Sequence, residues 1–247
     1  MVVCPISINT NNNLNFGSIN NPVKPFKVAT KYGTLAASEV DYSKDLTPKF
    51  IRKLTRFFLY NFSDKTNDGV RLQYRYGTPE EKSEYLEMFV KLYTRIFNDE
   101  TLQPDLTLLV AKDKKGRIQG ACLTHANLEI PDSYNTTLYV NSIATNEKYR
   151  GNDLAKLMLE KSLDANKTTF TDVYLTSANA SNPFYEKLGF VKLNPNNFYE
   201  KVILSYVEQT RRDYPEFVTP YHKPLQPNRP RWYRMCADRL IFWIPVE

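Results

Sequence analysis

The stretch from Tyr139 to Phe190 constrains the fold of this chain more than any other part of it. It predicts a strand, a tight turn at Arg150-Gly151-Asn152, a helix, a second strand and a short helix that ends at Gly189. A helix that begins at such a turn presents free backbone N–H groups and the positive end of its dipole. These groups bind anions without any special side chain, so the turn is a candidate site for a phosphate-bearing ligand.

Two further helices are predicted ahead of this stretch. Thr47 and Pro48 supply an N-cap and a first-turn proline for a helix whose apolar residues recur at helical spacing up to Phe62. Residues 78–81 form a capping box with proline at the first helical position, followed by an apolar face that reaches Phe97.

The strands are predicted from apolar segments bounded by turn residues. We expect strands at Phe26–Ala36, Leu106–Ala111, Ile118–Leu128, Tyr134–Thr145 and Val173–Ser177, with a helix at Leu154–Leu163. This order of elements indicates an α/β (α+β) fold. It predicts a mixed central β-sheet of about six to seven strands with helices on both faces.

The composition divides the chain into a loose arm and one domain. Residues 1–24 are rich in Asn, Ser and Pro and can bury little apolar surface, so we interpret them as a loose N-terminal arm. Residues 25–247 are expected to form a single domain. Within it, the aromatic and proline-rich segment 195–232 is expected to be an extension that serves as a lid or acceptor wall before a closing strand at 234–246.

Charge, cysteine content and hydropathy argue against several classes of function. The chain has 33 Lys and Arg against 27 Asp and Glu, a net charge of +6, but the basic clusters are short and interrupted by acids, so nucleic-acid binding is not favoured. Cys4, Cys122 and Cys236 are predicted to be reduced thiols, and no cysteine or histidine pair has metal-ligand spacing. With neither a secretory signal nor an apolar run of ~18 residues, no membrane association is expected and the predicted compartment is the cytoplasm.

Two motifs in the chain resemble those of the GNAT superfamily of acyl-CoA-dependent N-acyltransferases. Residues 150–155, Arg-Gly-Asn-Asp-Leu-Ala, are similar to the family's Arg/Gln-x-x-Gly-x-Gly/Ala loop, and residues 182–190 closely resemble its FYEKLGF-type segment. Each motif has the expected neighbours, with a strand between them, and the resemblance covers about residues 26–193.

The resemblance implies an enzyme that transfers an acetyl group from acetyl-CoA, its co-substrate, to a primary amine by direct attack. The acceptor would be a small-molecule amine or a peptide, and the protein a monomer or homodimer. Backbone groups of the loop would hold the pyrophosphate, and those of the preceding strand, from Ser142 onward, would pair with the pantetheine arm. The residues implied are Ile143, Ala144, Thr145, Arg150, Gly151, Asn152, Asp153, Leu154 and Ala155.

Tyr185 is the catalytic residue that the resemblance implies, as the acid that protonates the departing thiolate. The alternative is an aromatic residue that only packs the short helix onto the sheet. Asn179 and Asn182 are candidates either for contacts with the cofactor's amides or for caps of the short helix. Glu129 and Asp132 are candidates for the general base, which the sequence does not identify.

The chain departs from the family pattern at Asp153, where the family has glycine. Aspartate tolerates left-handed backbone, yet its carboxylate would repel a pyrophosphate unless it points away. A different interpretation is that Asp153 stabilises the first helical turn through the dipole. Because of this residue and the unidentified base, a non-catalytic acyl-CoA-binding or interaction protein on the same fold is the alternative function.

Overall fold

The computed structural model describes residues 22–62, 74, 76–99, 106–126, 137–170, 172–194, 196 and 218–225. Its helices include α1 (Tyr42–Asp45), α2 (Pro48–Phe62), α3 (Pro79–Asn98), α4 (Leu154–Asn166) and α5 (Asn182–Lys187). Its strands are β1 (Phe26–Thr30), β2 (Gly33–Glu39), β3 (Thr107–Lys112), β4 (Ile118–Ala126), β5 (Thr137–Thr145), β6 (Asp172–Ala178), β7 (Val191–Lys192) and β8 (Val218–Pro224).

These strands form one sheet in the order β1-β2-β3-β4-β5-β6-β8-β7. Neighbouring strands are antiparallel, except β5 and β6, which are parallel. A parallel pair needs a crossover connection, and α4 provides it. The predicted mixed sheet with helices on both faces is confirmed, and it has eight strands in the described residues instead of six to seven.

The single strand predicted at Phe26–Ala36 is wrong, because the structure has a β1–β2 hairpin there. The chain reverses at Lys31 and Tyr32. The Tyr32 N–H donates to Thr30 Oγ1 at 3.1 Å, and the Thr30 hydroxyl donates to the Gly33 carbonyl at 2.6 Å. Gly33 has a φ of +112°, which glycine adopts without steric cost.

The predicted starts of α2 and α3 are confirmed by their hydrogen bonds. Thr47 Oγ1 accepts from the Phe50 N–H at 3.2 Å at the start of α2. At the start of α3, Thr78 Oγ1 accepts from the Glu81 N–H at 3.2 Å, and Glu81 Oε2 accepts from the Thr78 N–H at 2.7 Å. This reciprocal pair is the capping box that the sequence predicts.

Two apolar clusters hold the helices against the sheet. One contains Leu154 and Met158 of α4 with Tyr185 of α5, and the other contains residues of α2 and α3 such as Phe58 and Phe97. The start of α4 lies very close to β4, since a Cβ added at Gly120 would be 2.8 Å from Leu154 Cδ2. Side-chain packing therefore fixes where α4 begins relative to the sheet.

The structure also corrects the extension predicted at residues 195–232. Val218–Pro224 within it form β8, which lies inside the sheet between β6 and β7. Two prolines argue against a central strand at the sequence level. They are tolerated because β7, the neighbour on the outer side, pairs with β8 only at His222 and Tyr221.

Other predictions lie outside the described residues. These are the arm up to residue 21, Cys4, Glu129, Asp132, Cys236 and the closing strand at 234–246. The division into an arm and one domain therefore stays a prediction. In the described part of the chain, no helix is long and apolar enough to cross a bilayer.

Candidate functional site

The parallel strands β5 and β6 pair over only part of their length. The pairing runs from Thr137 opposite Asp172 to Val140 opposite Leu175, although β5 continues to Thr145 and β6 to Ala178. Beyond Val140 the two strands diverge. Their facing edges therefore carry backbone N–H and C=O groups that do not pair with each other and are available to a ligand lying between the strands.

A β-bulge marks the point at which β5 leaves β6. On β4, the consecutive residues Leu123 and Thr124 pair with Ser142 and Val140, so Asn141 has no counterpart in the register. A bulge bends its strand and increases the local twist. The extra residue accounts for the divergence of β5 from β6 directly after Val140.

A cavity of about 350 Å³ lies in this split, within the usual size range of small-molecule sites. One side, here called the β5 wall, consists of residues 140–145 with Arg150 and Ala155 from the following loop. The other side, here called the α5 wall, consists of residues 176–178, Ala180, Ser181, Phe184 and Tyr185. Asn61 and Phe62, at the end of α2, also line the cavity.

The loop at the end of the β5 wall leaves the first turn of α4 uncapped. The Leu157 N–H donates to the Asp153 carbonyl at 2.9 Å, so the three N–H groups before it, in residues 154–156, have no partner within the helix. Gly151 has a φ of +73°, and a Cβ added there would meet nothing within 4 Å. The loop thus combines free donors, a positive dipole end and open space, which suits an anion.

Asp153 has left-handed backbone, with φ 56° and ψ 9°, a conformation that aspartate tolerates. It is the N-cap residue of α4, but its side chain makes no capping hydrogen bond. Its carboxylate is exposed. The dipole interaction considered from the sequence is thus not accompanied by a capping hydrogen bond, and Asp153 places a negative charge next to the uncapped turn.

Asn152 and Arg150 connect this loop to other elements. Asn152 Nδ2 donates to the carbonyls of Tyr149 and Arg150, each at 3.1 Å, and Asn152 Oδ1 accepts from the Lys31 N–H in the β1–β2 turn. Arg150 Nη2 donates to the Asn61 carbonyl at 3.2 Å. Asn152 therefore serves the loop's own geometry, whereas the Arg150 guanidinium lies between the loop and the last turn of α2.

The predicted residues of β5 all lie in the β5 wall. Ile143, Ala144 and Thr145 line the cavity. Thr145 Oγ1 is buried, and no hydrogen-bond partner for it exists in the part of the chain that the structure describes. A buried hydroxyl without a partner is costly, so this wall has polar capacity that a bound ligand can use.

Tyr185 lies across the cavity from these residues. Its side chain is 7% exposed and packs against Phe184, Phe190 and Tyr221, with ring centroids 5.0, 5.7 and 6.4 Å away. The packing role considered from the sequence is therefore real. It also holds the phenol in the cavity wall.

Two groups behind the walls have raised pKa values. Cys122 lies opposite Ile143 in the β4–β5 register, and complete burial raises the pKa of its thiol to about 12. Behind the α5 wall, Tyr221 donates to Glu186 Oε1 at 2.8 Å. Burial and this contact with a carboxylate raise the pKa of the Tyr221 phenol to about 12. Both groups are neutral at physiological pH.

The two predicted asparagines lie around the start of α5. Asn179 lies in a 3-10 turn after β6. Asn182 is the first residue of α5, whose N-cap is Ser181, and its Nδ2 donates to Thr219 Oγ1 of β8 at 3.3 Å. Asn182 is thus next to β8 and outside the set of residues that lines the cavity, so its contact with a cofactor stays a prediction.

Some of the lining was not found from the sequence. Asn61 and Phe62 of α2, Asn141 at the bulge, and Thr176, Ser177, Ala180 and Ser181 around the end of β6 all line the cavity. No motif marks them, because they are brought together by strand pairing and by the Arg150–Asn61 contact. The described residues that line the cavity include no carboxylate, and the candidate bases Glu129 and Asp132 lie outside the described residues.

The site fits an extended ligand that carries phosphate at one end and amides along its length. The uncapped turn supplies donors for the phosphate, and the parted edges supply donors and acceptors for the amides. A metal site is not indicated, since the described residues contain no group of three or more His, Cys, Asp or Glu side chains that could hold an ion.

Comparison with protein families gives a match to the model of the acetyltransferase (GNAT) domain over residues 75–206. The matched range includes β5, the loop, α4 and Tyr185. No curated protein matches the chain.

Comparison with solved structures gives many similar folds at low sequence identity. A protein from Pyrococcus horikoshii OT3 is 13% identical, with a TM-score of 0.51, over 77% of this chain and 98% of that one. A GNAT-family acetyltransferase from Staphylococcus aureus Mu50 is 14% identical, with a TM-score of 0.48, over 77% and 99%. The PaiA N-acetyltransferase of Thermoplasma acidophilum, solved in complex with coenzyme A, is 13% identical, with a TM-score of 0.46, over 73% and 96%.

Proposed function

The chain belongs to the GNAT acetyltransferase family, and from that premise we propose that it transfers an acetyl group from acetyl-CoA to a primary amine by direct attack. The carrying observation is the split between β5 and β6 together with the uncapped start of α4, whose Ala155 lines the same cavity. This arrangement supports a ligand with an extended amide-bearing arm and a pyrophosphate, as in coenzyme A.

The β5 wall has the groups to hold such a ligand. Backbone N–H groups of residues 154–156 donate to the pyrophosphate, and Gly151 leaves room for its oxygens. Edge groups of residues 143–145 pair with the amides of the pantetheine arm, as a further strand would. Bound acetyl-CoA supplies an activated acetyl group as a thioester.

The α5 wall supplies the acid. In the proposed reaction the amine nitrogen bonds to the acetyl carbon, the carbon–sulfur bond breaks, and the sulfur takes a proton from Tyr185. The proton released by the amine passes to a base outside the described lining. The buried position of Tyr185 at the cavity surface supports this role, because a positioned acid contributes about 100-fold or more to such a step.

A non-catalytic acyl-CoA-binding protein is the second candidate, and Asp153 is the observation that favours it. Its exposed carboxylate next to the anion-binding turn lowers affinity for pyrophosphate, and the described cavity lining contains no carboxylate base. Binding without turnover would satisfy both features.

A turnover assay separates the two candidates. Acetyl-CoA is mixed with the protein and a panel of small amines, polyamines, amino acids and peptides with free N-termini, while thiol release and the mass of each acceptor are followed. We expect an acceptor to gain one acetyl group for each thiol released. Thiol release without any acetylated acceptor, or binding of acetyl-CoA without thiol release across the panel, would contradict the enzyme and support the binding protein.

A further inference from the structure

Four polar side chains form a hydrogen-bonded chain beside the bulge of β5. Tyr93 of α3 and Ser142 of β5 are 2.7 Å apart through their hydroxyl oxygens. The Ser142 hydroxyl donates to Asn141 Oδ1 at 2.8 Å, and Asn141 Nδ2 lies 3.2 Å from His125 Nε2 on β4. The chain thus joins three elements that are far apart in sequence.

The burial of these residues makes the chain more than a surface contact. Tyr93, His125 and Ser142 are 3%, 3% and 5% exposed, while Asn141 is half-buried and lines the cavity with Ser142. Polar contacts shielded from water are stronger, and they cost more when they are broken. The hydrogen-bonded chain is therefore shielded from water at Tyr93 and His125, and it reaches the ligand cavity at Asn141.

The donors and acceptors along the chain have one consistent direction. The single hydroxyl hydrogen of Ser142 goes to Asn141 Oδ1, so in the contact with Ser142 the Tyr93 hydroxyl is the donor. The amide nitrogen of Asn141 only donates, so in this contact His125 Nε2 is the acceptor. His125 therefore acts as the acceptor that fixes the orientation of the Asn141 amide.

The hydrogen-bonded side chains lie where the ladder of backbone hydrogen bonds between β4 and β5 is interrupted. Asn141 is the residue without a counterpart on β4, and a bulge loses ladder hydrogen bonds at its extra residue. Its side chain replaces that restraint with bonds to its neighbour Ser142 and to His125 across the strands. Asn141 and Ser142 line the cavity at the start of the split, where in the proposed reaction negative charge develops on the acetyl oxygen.

We propose that His125 is a positioning residue for acyl transfer: through Asn141 and Ser142 it holds the β5 bulge, and the backbone donors there, in one conformation. This inference rests on the proposed function for its catalytic part. The restraint of the bulge does not depend on that function and can be measured separately.

The test compares His125→Leu, which removes the acceptor, with His125→Gln, whose Oε1 can accept from the Asn141 amide but cannot act as a base at neutral pH. Amide hydrogen exchange at Asn141 and Ser142 is followed by NMR, with and without acetyl-CoA. We expect faster exchange at the bulge in His125→Leu and near wild-type exchange in His125→Gln. Unchanged exchange in His125→Leu would overturn the inference, whatever the enzyme does.

Kinetics with an acceptor found in the amine panel test the catalytic part. For His125→Leu we expect kcat to fall about 10- to 100-fold, as for a small misplacement of reacting groups, with the KM for acetyl-CoA unchanged. His125→Gln should keep most of kcat. An equal loss in both variants would assign His125 a titrating role and overturn the positioning role. If the wild type binds acetyl-CoA but acetylates nothing, the proposed function is wrong. The exchange measurement still shows whether His125 restrains the β5 bulge.

Tyr93→Phe provides a variant that keeps the ring packing if His125→Leu does not fold. It removes only the hydroxyl at the far end of the chain. We expect a smaller increase in exchange at Ser142 and a loss in kcat of about threefold, on the scale of one neutral hydrogen bond. No change in either quantity would contradict a continuous chain.

Discussion

The two walls of the cavity present different kinds of chemical group to a ligand. The β5 wall offers backbone groups, in a strand edge and an uncapped helix start, with side chains that mainly set backbone geometry. The α5 wall offers one side chain, Tyr185, held by aromatic neighbours. From this difference we propose that ligand binding depends on backbone conformation at glycine and bulge positions, whereas the chemistry depends on the single side chain of Tyr185.

Tyr185→Phe should give the largest effect and should act on the α5 wall alone. The phenylalanine keeps the ring packing but cannot donate a proton to the departing sulfur. We expect kcat to fall about 100-fold, with the dissociation constant for acetyl-CoA unchanged, as measured by steady-state kinetics and calorimetry.

Tyr221→Phe is the matched control for that substitution. Tyr221 packs against Tyr185, but its hydroxyl goes to Glu186 and the residue does not line the cavity. Its loss should leave kcat within about twofold, since a single hydrogen bond outside the site is removed. Equal losses in the two variants would mean that packing, and not the phenol at 185, sets the rate.

Gly151→Ala tests whether the β5 wall binds through backbone geometry. The added Cβ occupies the open space beside the turn, and alanine is strained at a φ of +73°. We expect the KM for acetyl-CoA to rise about tenfold, or about 1.4 kcal/mol in binding, with kcat at saturation nearly unchanged.

Gly116→Ala is the control that separates the effect of backbone strain in Gly151→Ala from the loss of space for the ligand. Gly116 has a φ of +71° and open surroundings, but it lies in the β3–β4 turn, away from the cavity. Both variants should lose a similar amount of stability, about 1 kcal/mol, from the left-handed alanine. Weaker acetyl-CoA binding in Gly116→Ala as well would show that the effect at Gly151 is not local.

Asp153→Asn tests how the charge at the turn affects acetyl-CoA binding, and we expect a smaller change in affinity than in Gly151→Ala. Asparagine keeps the tolerance for left-handed backbone and removes the negative charge from the turn. We expect acetyl-CoA to bind about threefold more tightly at low salt, and the gain to shrink as salt screens the charge. Weaker binding in Asp153→Asn, at any salt concentration, would show that the carboxylate contributes to the site.

Cys122→Ala gives the smallest effect, on stability behind the β5 wall. The folded-state pKa of this thiol is raised from 9.0 to about 12, so its contribution to stability is fully present below pH 9 and is lost as the pH rises toward 12. Urea unfolding at several pH values should show a shallower alkaline loss in Cys122→Ala, after a fall of about 1 kcal/mol at neutral pH from the small cavity. An unchanged alkaline slope would contradict this.

The sequence predicts the parts of the site that local chemistry determines. The turn at residues 150–155 and the start of α4 follow from a local motif, in which Gly151 adopts and Asp153 tolerates left-handed backbone. The capping box of α3 follows in the same way. The motif singles out Tyr185, which lies in the cavity wall, and its role as an acid stays a prediction.

The parts that the sequence does not predict depend on pairing between distant residues. The bulge at Asn141 exists only in the register of β4 against β5, and the split exists only because β6 leaves β5 after Leu175. The hairpin at Lys31 and the strand at Val218–Pro224 were missed because a turn without a strong signal and two prolines obscured the pattern. The Tyr93–His125 chain brings together residues that no local pattern connects.

Calorimetric titration of acetyl-CoA into the wild type and Gly151→Ala tests the central claim most directly, because it asks whether the split and its uncapped turn hold this ligand. The account predicts one binding site per chain in the wild type and affinity reduced about tenfold in Gly151→Ala. No detectable binding to the wild type at millimolar acetyl-CoA, or equal affinity in both proteins, would contradict it.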